Sequence, residues 1–459
     1  MKQKVKTQKI DMLHGSIWNK LPKYALPVAA TGILEQLFNA SDIAIVGNFT
    51  GANKTISVAA VGANSPIIGL ILNLFIGIAL GANVIIANAV GQNNKKIINQ
   101  AVHTSVVMAI IGGIIVAVIG ELGISVLLKL LHVPSDVFPY ALLYIRIYLL
   151  GMPAILLYNF EAAIFRSIGE TKVPLGALAL SGILNVLLNL FFVIVLKMNV
   201  NGVAIATVIA NIVSSAVLFI KLTKTDKLIH VNVGDLKIYK DSLVRIMKIG
   251  LPAGIQSAVF AMANIVIQSA INSLGTIVIA ASSAAFNIEI FAYDVLNSFS
   301  QACTTFVGQN YGAGNMKRCK RTLILSLIED AIASATAIFL VLFMGKALLS
   351  IFNNDPKVIK IAYTRLIVIF TAYIFSMMYE LMSGYLRGFG ISLVPAILTI
   401  FGVCVVRIIW IYTVFPAHRT FTTIMMAYPI SLSITALLIF IALLIYRPSK
   451  RFEVKILEK

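Results

Sequence analysis

Residues 56–90 read ISVAAVGANSPIIGLILNLFIGIALGANVIIANAV, without one Asp, Glu, Lys or Arg, and then give way to Gly91-Gln-Asn-Asn-Lys95-Lys96. Crossing a bilayer takes ~20 mostly apolar residues in a helix, and paired lysines mark where such a helix meets the polar surface. The end of this run returns in the second half of the chain, where Val90-Gly-Gln-Asn93 is echoed by Val307-Gly-Gln-Asn310. One stretch therefore points both to a membrane protein and to an internal duplication.

Working outward, the whole chain has the same character. Its 459 residues are 59% hydrophobic and 12% charged, with mean hydropathy +0.93, outside the balance of soluble domains. Apolar runs predict about twelve spans, at 24–47, 56–90, 98–120, 136–165, 173–196, 202–222, 249–273, 277–307, 321–344, 357–386, 392–414 and 423–446, with ends uncertain by ~4 residues. The expected fold class is an all-α polytopic membrane protein.

The formal charge of +19 sits in short segments between the runs, which is membrane topology rather than a nucleic-acid surface. Lys2, Lys4, Lys6, Lys9, Lys20 and Lys23 precede the first span, and Lys221, Lys224, Lys227, Lys237, Lys240, Arg245 and Lys248 fill the longest connection. Arg447, Lys450, Arg451, Lys455 and Lys459 follow the last span. The positive-inside bias then places both termini in the cytoplasm, and no small-residue cleavage site follows the Lys-rich start, so the first helix is expected to stay. Cys303, Cys319 and Cys404 have no metal or disulfide spacing.

The halves repeat in order. Lys23-Tyr-Ala-Leu-Pro27 matches Lys248-Ile-Gly-Leu-Pro252; Asp136, Tyr144 and Arg146 match Asp355, Tyr363 and Arg365; Tyr158, Arg166, Gly169 and Pro174 match Tyr379, Arg387, Gly390 and Pro395. Six spans per repeat is an even number, so both copies insert the same way up, as parallel repeats. The expected organisation is a tail at 1–23, a six-helix bundle at 24–222, a solvated linker at 223–248, a second bundle at 249–446 and a tail at 447–459.

Ionisable groups inside spans are costly and need a reason. Glu35, Asn39 and Asp42 are spaced four and three apart, so they share one face of the first helix. Asn185 and Asn189, four apart, can address one pocket. A buried carboxylate can exchange a proton, and amide and hydroxyl oxygens around its ionised form can instead hold sodium, a hard cation. The plainer reading of these residues is a satisfied polar network that pins the bundle.

The chain resembles the multidrug and toxic compound extrusion (MATE) family, in particular its firmicute-type drug exporters. The resemblance is carried by Ala25-Leu-Pro27, Asn39-Ala-Ser-Asp42, Asn73-Leu-Phe-Ile-Gly77, Leu150-Gly-Met-Pro153, Arg166-Ser-Ile-Gly169, Gly202-Val-Ala-Ile-Ala-Thr207, Gly250-Leu-Pro-Ala-Gly254, Asn287-Ile-Glu289, Gly308-Gln-Asn-Tyr-Gly312 and Leu386-Arg-Gly388. It implies two six-helix bundles around a central cleft that opens alternately inward and outward. It makes Asp42 the match to the coupling carboxylate of the first helix, with Asn185, Asn189 and Thr207 at polar family positions on helices five and six and Asn159 a looser match on helix four; Glu35 and Asn39, on the face they share with Asp42, are expected at the same coupling-ion site. Relatives with a second carboxylate on helix five place it where this chain has Asn189. The second-half cation site of sodium-driven relatives is unmatched, since helix seven offers Gln256 and Gln268, and helix ten Ser376.

In the second half Glu289 is expected as a cavity acid, with Asp294 about 140° round the same helix. Glu380, at the repeat position of Asn159, either faces the cavity or pairs with Arg387. Tyr158, Phe286 and Tyr293 either line an aromatic cavity or pack as core.

The function these readings imply is a secondary antiporter that exports small organic, cationic molecules against protons or sodium in a bacterial cell membrane. A monomer without cofactor, metal (a sodium ion at Asp42 excepted) or nucleic-acid partner is expected. A flippase for lipid-linked saccharides is the rival transport reading, and it favours a cationic cavity. No GxxxxGK[ST] phosphate loop is present, and His14, His103, His132, His230 and His418 are scattered without a metal or triad pattern, so an enzyme is not expected.

Overall fold

The computed structural model describes residues 10–451, the side chain of Ala52 excepted; the lysines expected in the outer tails, Lys2 to Lys9 and Lys455 to Lys459, lie outside them. Every element among the described residues is helical. The first half holds α1 (Leu21–Phe49), α2 (Lys54–Gly91), α3 (Lys95–Leu130), α4 (Phe138–Leu150), α5 (Met152–Ser167), α6 (Lys172–Leu190) and α7 (Val200–Lys224). The second holds α8 (Lys240–Asn272), α9 (Thr276–Gly312), α10 (Met316–Ser350), α11 (Pro356–Thr371), α12 (Tyr373–Gly388), α13 (Leu393–Thr399), α14 (Val406–Thr413) and α15 (Phe421–Tyr446). Wider π-helical turns follow α6 at Phe191–Val195 and join α13 to α14 at Ile400–Val405.

Nine of the described helical segments are long and apolar enough to cross a membrane. α4 with α5, and α11 with α12, each make one more span bent by 51° and 46°. α1, its hydropathy lowered by Glu35, Asn39 and Asp42, completes the twelve. The two bends fall within the single spans expected at 136–165 and 357–386. At both, the chain tightens into an i→i+3 turn: the Gly151 amide donates to the Tyr148 carbonyl at 3.0 Å and the Ala372 amide to the Ile369 carbonyl at 3.1 Å. Pro153 in the first turn of α5 adds a missing donor to the first bend. Large apolar side chains such as Leu122, Phe343 and Ile445 are exposed. That is the surface a helical protein presents to lipid, where apolar contact costs nothing.

The backbone explains why some repeat residues recur. Gly169 and Gly390 end α5 and α12 at φ +85° and +81°, the left-handed cap that glycine adopts without steric cost. In each cap the next amide reaches back across the turn, Glu170 to the Phe165 carbonyl and Ile391 to the Leu386 carbonyl, both at 3.0 Å. Asp355 opens α11, its carboxylate accepting from the Lys357 amide at 2.8 Å, and Pro356 follows at the first helical position, where a missing N–H costs nothing.

The chain forms two compact units. Among the described residues, one comprises 30–86 and 94–246; the other comprises 10–29, 87–93 and 247–451. In the first, α3 packs on α4 and α5, and α7 on α4, α5 and α6, around a core that includes Val46, Ala60, Leu128, Ile145 and Leu149. In the second, α9 packs on α10, α11 and α12, and α12 on α15, around Leu21, Tyr24, Phe299, Phe306, Leu366 and Leu381. Residues before α1 are tied into this second core. Met12 is fully buried, and its carbonyl accepts from Asn310 Nδ2 at 3.1 Å and Arg318 Nε at 3.0 Å.

Candidate functional site

The first unit encloses a polar cluster on three helices. α1 brings Asp42, α6 brings Asn185 and Asn189 one turn apart, and α7 brings Thr207. Asn189 Nδ2 donates to Asp42 Oδ1 at 2.6 Å and to Asn185 Oδ1 at 3.1 Å. Thr207 Oγ1 lies 3.1 Å from Asp42 Oδ2 and accepts from Asn185 Nδ2 at 3.3 Å. Asp42 is 6% exposed and Asn189 0%, and no salt bridge to Asp42 forms among the described residues. A carboxylate held this way by neutral donors keeps its charge uncompensated, a costly state in a low-dielectric interior that a bound proton or cation relieves.

Two details give the cluster a switchable chemistry. The Thr207 hydroxyl has one proton and two acceptors in reach, Asp42 Oδ2 and the Val203 carbonyl at 2.9 Å. It can serve an ionised Asp42, or turn to Val203 and accept from a protonated one. Asn189 Oδ1, buried, has no hydrogen-bond partner. It is a hard oxygen of the kind that a cation such as sodium takes, on the residue whose Nδ2 now bonds Asp42 and Asn185.

The cluster opens onto a cavity of about 140 Å³ lined by Glu35, Asn39, Asp42, Tyr148, Tyr158, Asn159, Asn185, Thr207 and Asn211, among others. This holds several waters or a small fragment, less than the ~300–1,000 Å³ of drug-sized sites. Its shape depends on a close approach: a Cβ on Gly182 would stand 1.8 Å from the Phe38 ring. Only glycine lets α6 lie against this side chain of α1.

Six of the residues expected at the coupling site, Glu35, Asn39, Asp42, Asn159, Asn185 and Thr207, thus share one cavity, and Asn189 bonds Asp42 directly. Within the group the roles differ. Asn39 is exposed, at the open side, and Asn159 donates to its own helix at the Ile155 carbonyl, 2.8 Å away. Two residues escaped the sequence reading. Asn211 lines the cavity one turn beyond Thr207, a spacing that could have flagged it. Glu161, on α5, is fully buried, with one oxygen accepting from Ser215 Oγ at 3.2 Å and the other unpartnered. Its surroundings come from α7 and could not be seen in local sequence.

The expected cargo residues fare differently. Tyr158 lines the cavity of the first unit. Glu289 is not a free cavity acid: Arg365 Nε donates to its Oε1 at 2.6 Å and Nη2 to its Oε2 at 2.9 Å, while Nη1 donates to Ser282 Oγ at 2.5 Å. The guanidinium fork on α11 matches a carboxylate bidentately and neutralises it. Phe286 is 49% exposed. Asp294 and Tyr293 are half-buried on α9, Asp294 Oδ2 without a partner. Glu380 is buried but does not reach ion-pair distance of Arg387, whose Nη2 donates to Gln256 Oε1 at 2.8 Å.

A duplicated set of membrane-spanning helices with an open-sided acidic cavity inside one repeat defines a polytopic membrane carrier. The MatE family model matches the chain twice, over residues 27–191 and 252–413. The chain belongs to this family, the multidrug and toxic compound extrusion transporters, as its motifs implied. It is 25% identical over 438 residues to "Probable multidrug resistance protein YoeA" of Bacillus subtilis, covering 93% of each chain. It is 25% identical to "Probable multidrug resistance protein NorM" of Thermotoga maritima, covering 85% of this chain and 84% of that one. Its fold superposes at TM-score 0.88 on a structure described as the outward-facing conformation of a multidrug resistance MATE family transporter, at 20% identity, covering 98% of this chain and 99% of that one.

Proposed function

We propose that this chain is a secondary antiporter that expels small organic cations in exchange for a proton or sodium ion bound at Asp42, from a bacterial plasma membrane with both termini in the cytoplasm. The observation that carries the reading is the buried Asp42 carboxylate, held by Asn189 and Thr207 without a cationic partner among the described residues. With the ion bound, Asp42 is neutral and its bonding to Thr207 and Asn189 rearranges; with the ion gone, the charge seeks a positive group. Cargo binding and ion binding then exclude one another, which is the condition for exchange. Asn185, Asn189 and Thr207 orient the carboxylate, while Glu35 and Tyr158 line the cavity it opens on. Residues 24–222 and 249–446 are the two repeats, and 223–248 is their connection.

The Asp42 cavity, with Glu35 and Asp42 in its lining and no Lys or Arg, lacks the cationic partners that the phosphate groups of lipid-linked saccharides would need there. The test is transport by purified protein in vesicles, with a pH or sodium gradient imposed separately and a panel of fluorescent organic cations offered. Uptake of at least one cation driven by one gradient is expected. Failure of both gradients with every cation would refute the exporter.

A further inference from the structure

The Asp42 site has a positional counterpart in the second unit. α5 begins at Met152 and α12 at Tyr373, α6 at Lys172 and α13 at Leu393, α7 at Val200 and α15 at Phe421, so equivalent positions lie 221 residues apart. For α1 and α8 the matched Pro27 and Pro252 set the offset at 225. Asn39 then corresponds to Asn264, Glu35 to Phe260, Thr207 to Tyr428 and Ala210 to Ser431, and Arg407 stands one residue beyond the equivalent of Asn185.

These second-unit residues do meet, and they meet around a cation. Arg407 Nε donates to Ser431 Oγ at 3.0 Å and Nη1 to Asn264 Oδ1 at 3.4 Å. The guanidinium carbon lies 4.2 Å from the Tyr428 ring centre and 5.4 Å from that of Phe260. Positions that line the Asp42 cavity in one repeat surround a guanidinium in the other.

Arg407 is 2% exposed. Among the described residues the titratable groups facing it are Tyr428, Tyr379, Cys404 and the guanidinium of Arg365, and none of the salt bridges involves it. Arg365 shares the Tyr428 ring at 5.8 Å, but its charge is already answered by Glu289. Two of the five N–H donors of Arg407 find acceptors, both neutral. The aromatic faces offset part of the cost of burying it, yet a buried cation without a counter-ion remains an expensive feature to keep. The chain leads into it through the π-helical turn at Ile400–Val405, a distortion that recurs at functional sites.

We propose that Arg407, with Tyr428, Ser431 and Asn264, is an oxyanion-binding site of the second unit that takes the carboxylate or phosphate group of an organic ligand. The planar fork suits a bidentate oxyanion. Ser431 Oγ accepts from Arg407 and donates to the Tyr428 carbonyl at 3.1 Å, which fixes the guanidinium, while Asn264 accepts through its Oδ1 and has its NH₂ donors for the ligand. Phe260 and the Tyr428 ring flank the charge with apolar surface, so the ligand carries an aromatic or aliphatic body next to its anionic group. The site goes beyond the exporter reading and needs no ion gradient.

Equilibrium binding to the full-length protein in neutral detergent tests it, with 1-pyrenebutyrate, 1-pyrenebutanol and 1-pyrenebutylammonium as matched probes. The wild type is expected to bind the carboxylate about tenfold or more tighter than the alcohol, and inorganic phosphate is expected to compete. In Arg407→Gln the carboxylate-to-alcohol ratio should fall to about one, and Arg407→Lys, which keeps charge without the fork, should fall between. A wild type that does not discriminate, or an Arg407→Gln protein that discriminates as well as the wild type, overturns the site. If neither variant folds, the wild-type comparison with phosphate competition decides alone. Discs of phosphatidylcholine with and without phosphatidylglycerol separate the sources: competition by the anionic lipid in the wild type identifies a lipid headgroup as the oxyanion, and its absence identifies a soluble ligand. Because no gradient is applied, failure here leaves ion-driven transport to be judged separately.

Discussion

Asp42→Asn removes the charge at the centre of the site and almost nothing else. The new amide oxygen can accept from Asn189 Nδ2 where Oδ1 now does at 2.6 Å, and the new NH₂ can donate to Thr207 Oγ1 across the present 3.1 Å. Thr207 then gives its proton to the Val203 carbonyl, already 2.9 Å away. Two charge-assisted bonds become neutral ones, a loss of about 1 kcal/mol each, while a buried charge without a counter-ion disappears; the net change in stability is expected within about 1 kcal/mol. Coupling is another matter. A gradient of about two pH units supplies about 2.7 kcal/mol per proton, which sustains about a 100-fold cargo ratio in one-for-one exchange. A site that cannot bind the ion extracts none of it, so the ratio falls to about one. Steady-state accumulation of a fluorescent cation in vesicles, beside thermal unfolding of both proteins, measures the two quantities. Asp42→Asn protein that accumulated cargo to the wild-type level, with the same ion dependence, would refute the assignment.

Other substitutions probe the surroundings. Thr207→Val strips Asp42 Oδ2 and Asn185 Nδ2 of a shared partner at a cost of about 1–3 kcal/mol; initial transport rates should drop about tenfold, while Thr207→Ser stays within about twofold. Gly182→Ala places a methyl 1.8 Å from the Phe38 ring and should cost about 1–3 kcal/mol of stability. Adding Phe38→Leu should return part of this in a double-mutant cycle, and strict additivity would count against the contact. Glu289→Met leaves Arg365 buried and unpaired and is expected to cost about 3–5 kcal/mol by thermal unfolding, whereas Glu289→Met with Arg365→Met should come close to the wild type. Equal damage from the single and double changes would show that the pair is not acting as a unit.

The sequence carried the outline of the fold because the bilayer leaves a chain few options. Apolar runs of spanning length must be helices, and matched motifs separated by a nearly constant offset reveal the duplication. The Asp42 group was legible for the same reason: polar residues among apolar neighbours are conspicuous, and the spacing of Glu35, Asn39 and Asp42, or of Asn185 and Asn189, fixes their shared face. What spacing cannot report is the neighbour supplied by another helix. Glu289 looked free because Arg365 lies 76 residues away, and Glu161 attracted no notice because Ser215 lies 54 residues away. Asn159 and Asn39 illustrate a second limit, since a side chain on the right face can still bond its own backbone or turn outward. The bends at Gly151 and Ala372 come from i→i+3 closures, and at Ala372 no proline or glycine marks the place.

The central claim is that cargo and coupling ion compete through Asp42. Counting ions on cargo binding, without any gradient, tests it most directly. Saturating wild-type protein with a transported cation in weakly buffered solution should release a proton for each cargo molecule bound, or displace one sodium ion per cargo molecule, and Asp42→Asn should release neither. Cargo that binds the wild type with no release of either ion, and with an affinity independent of pH and sodium, would contradict the account.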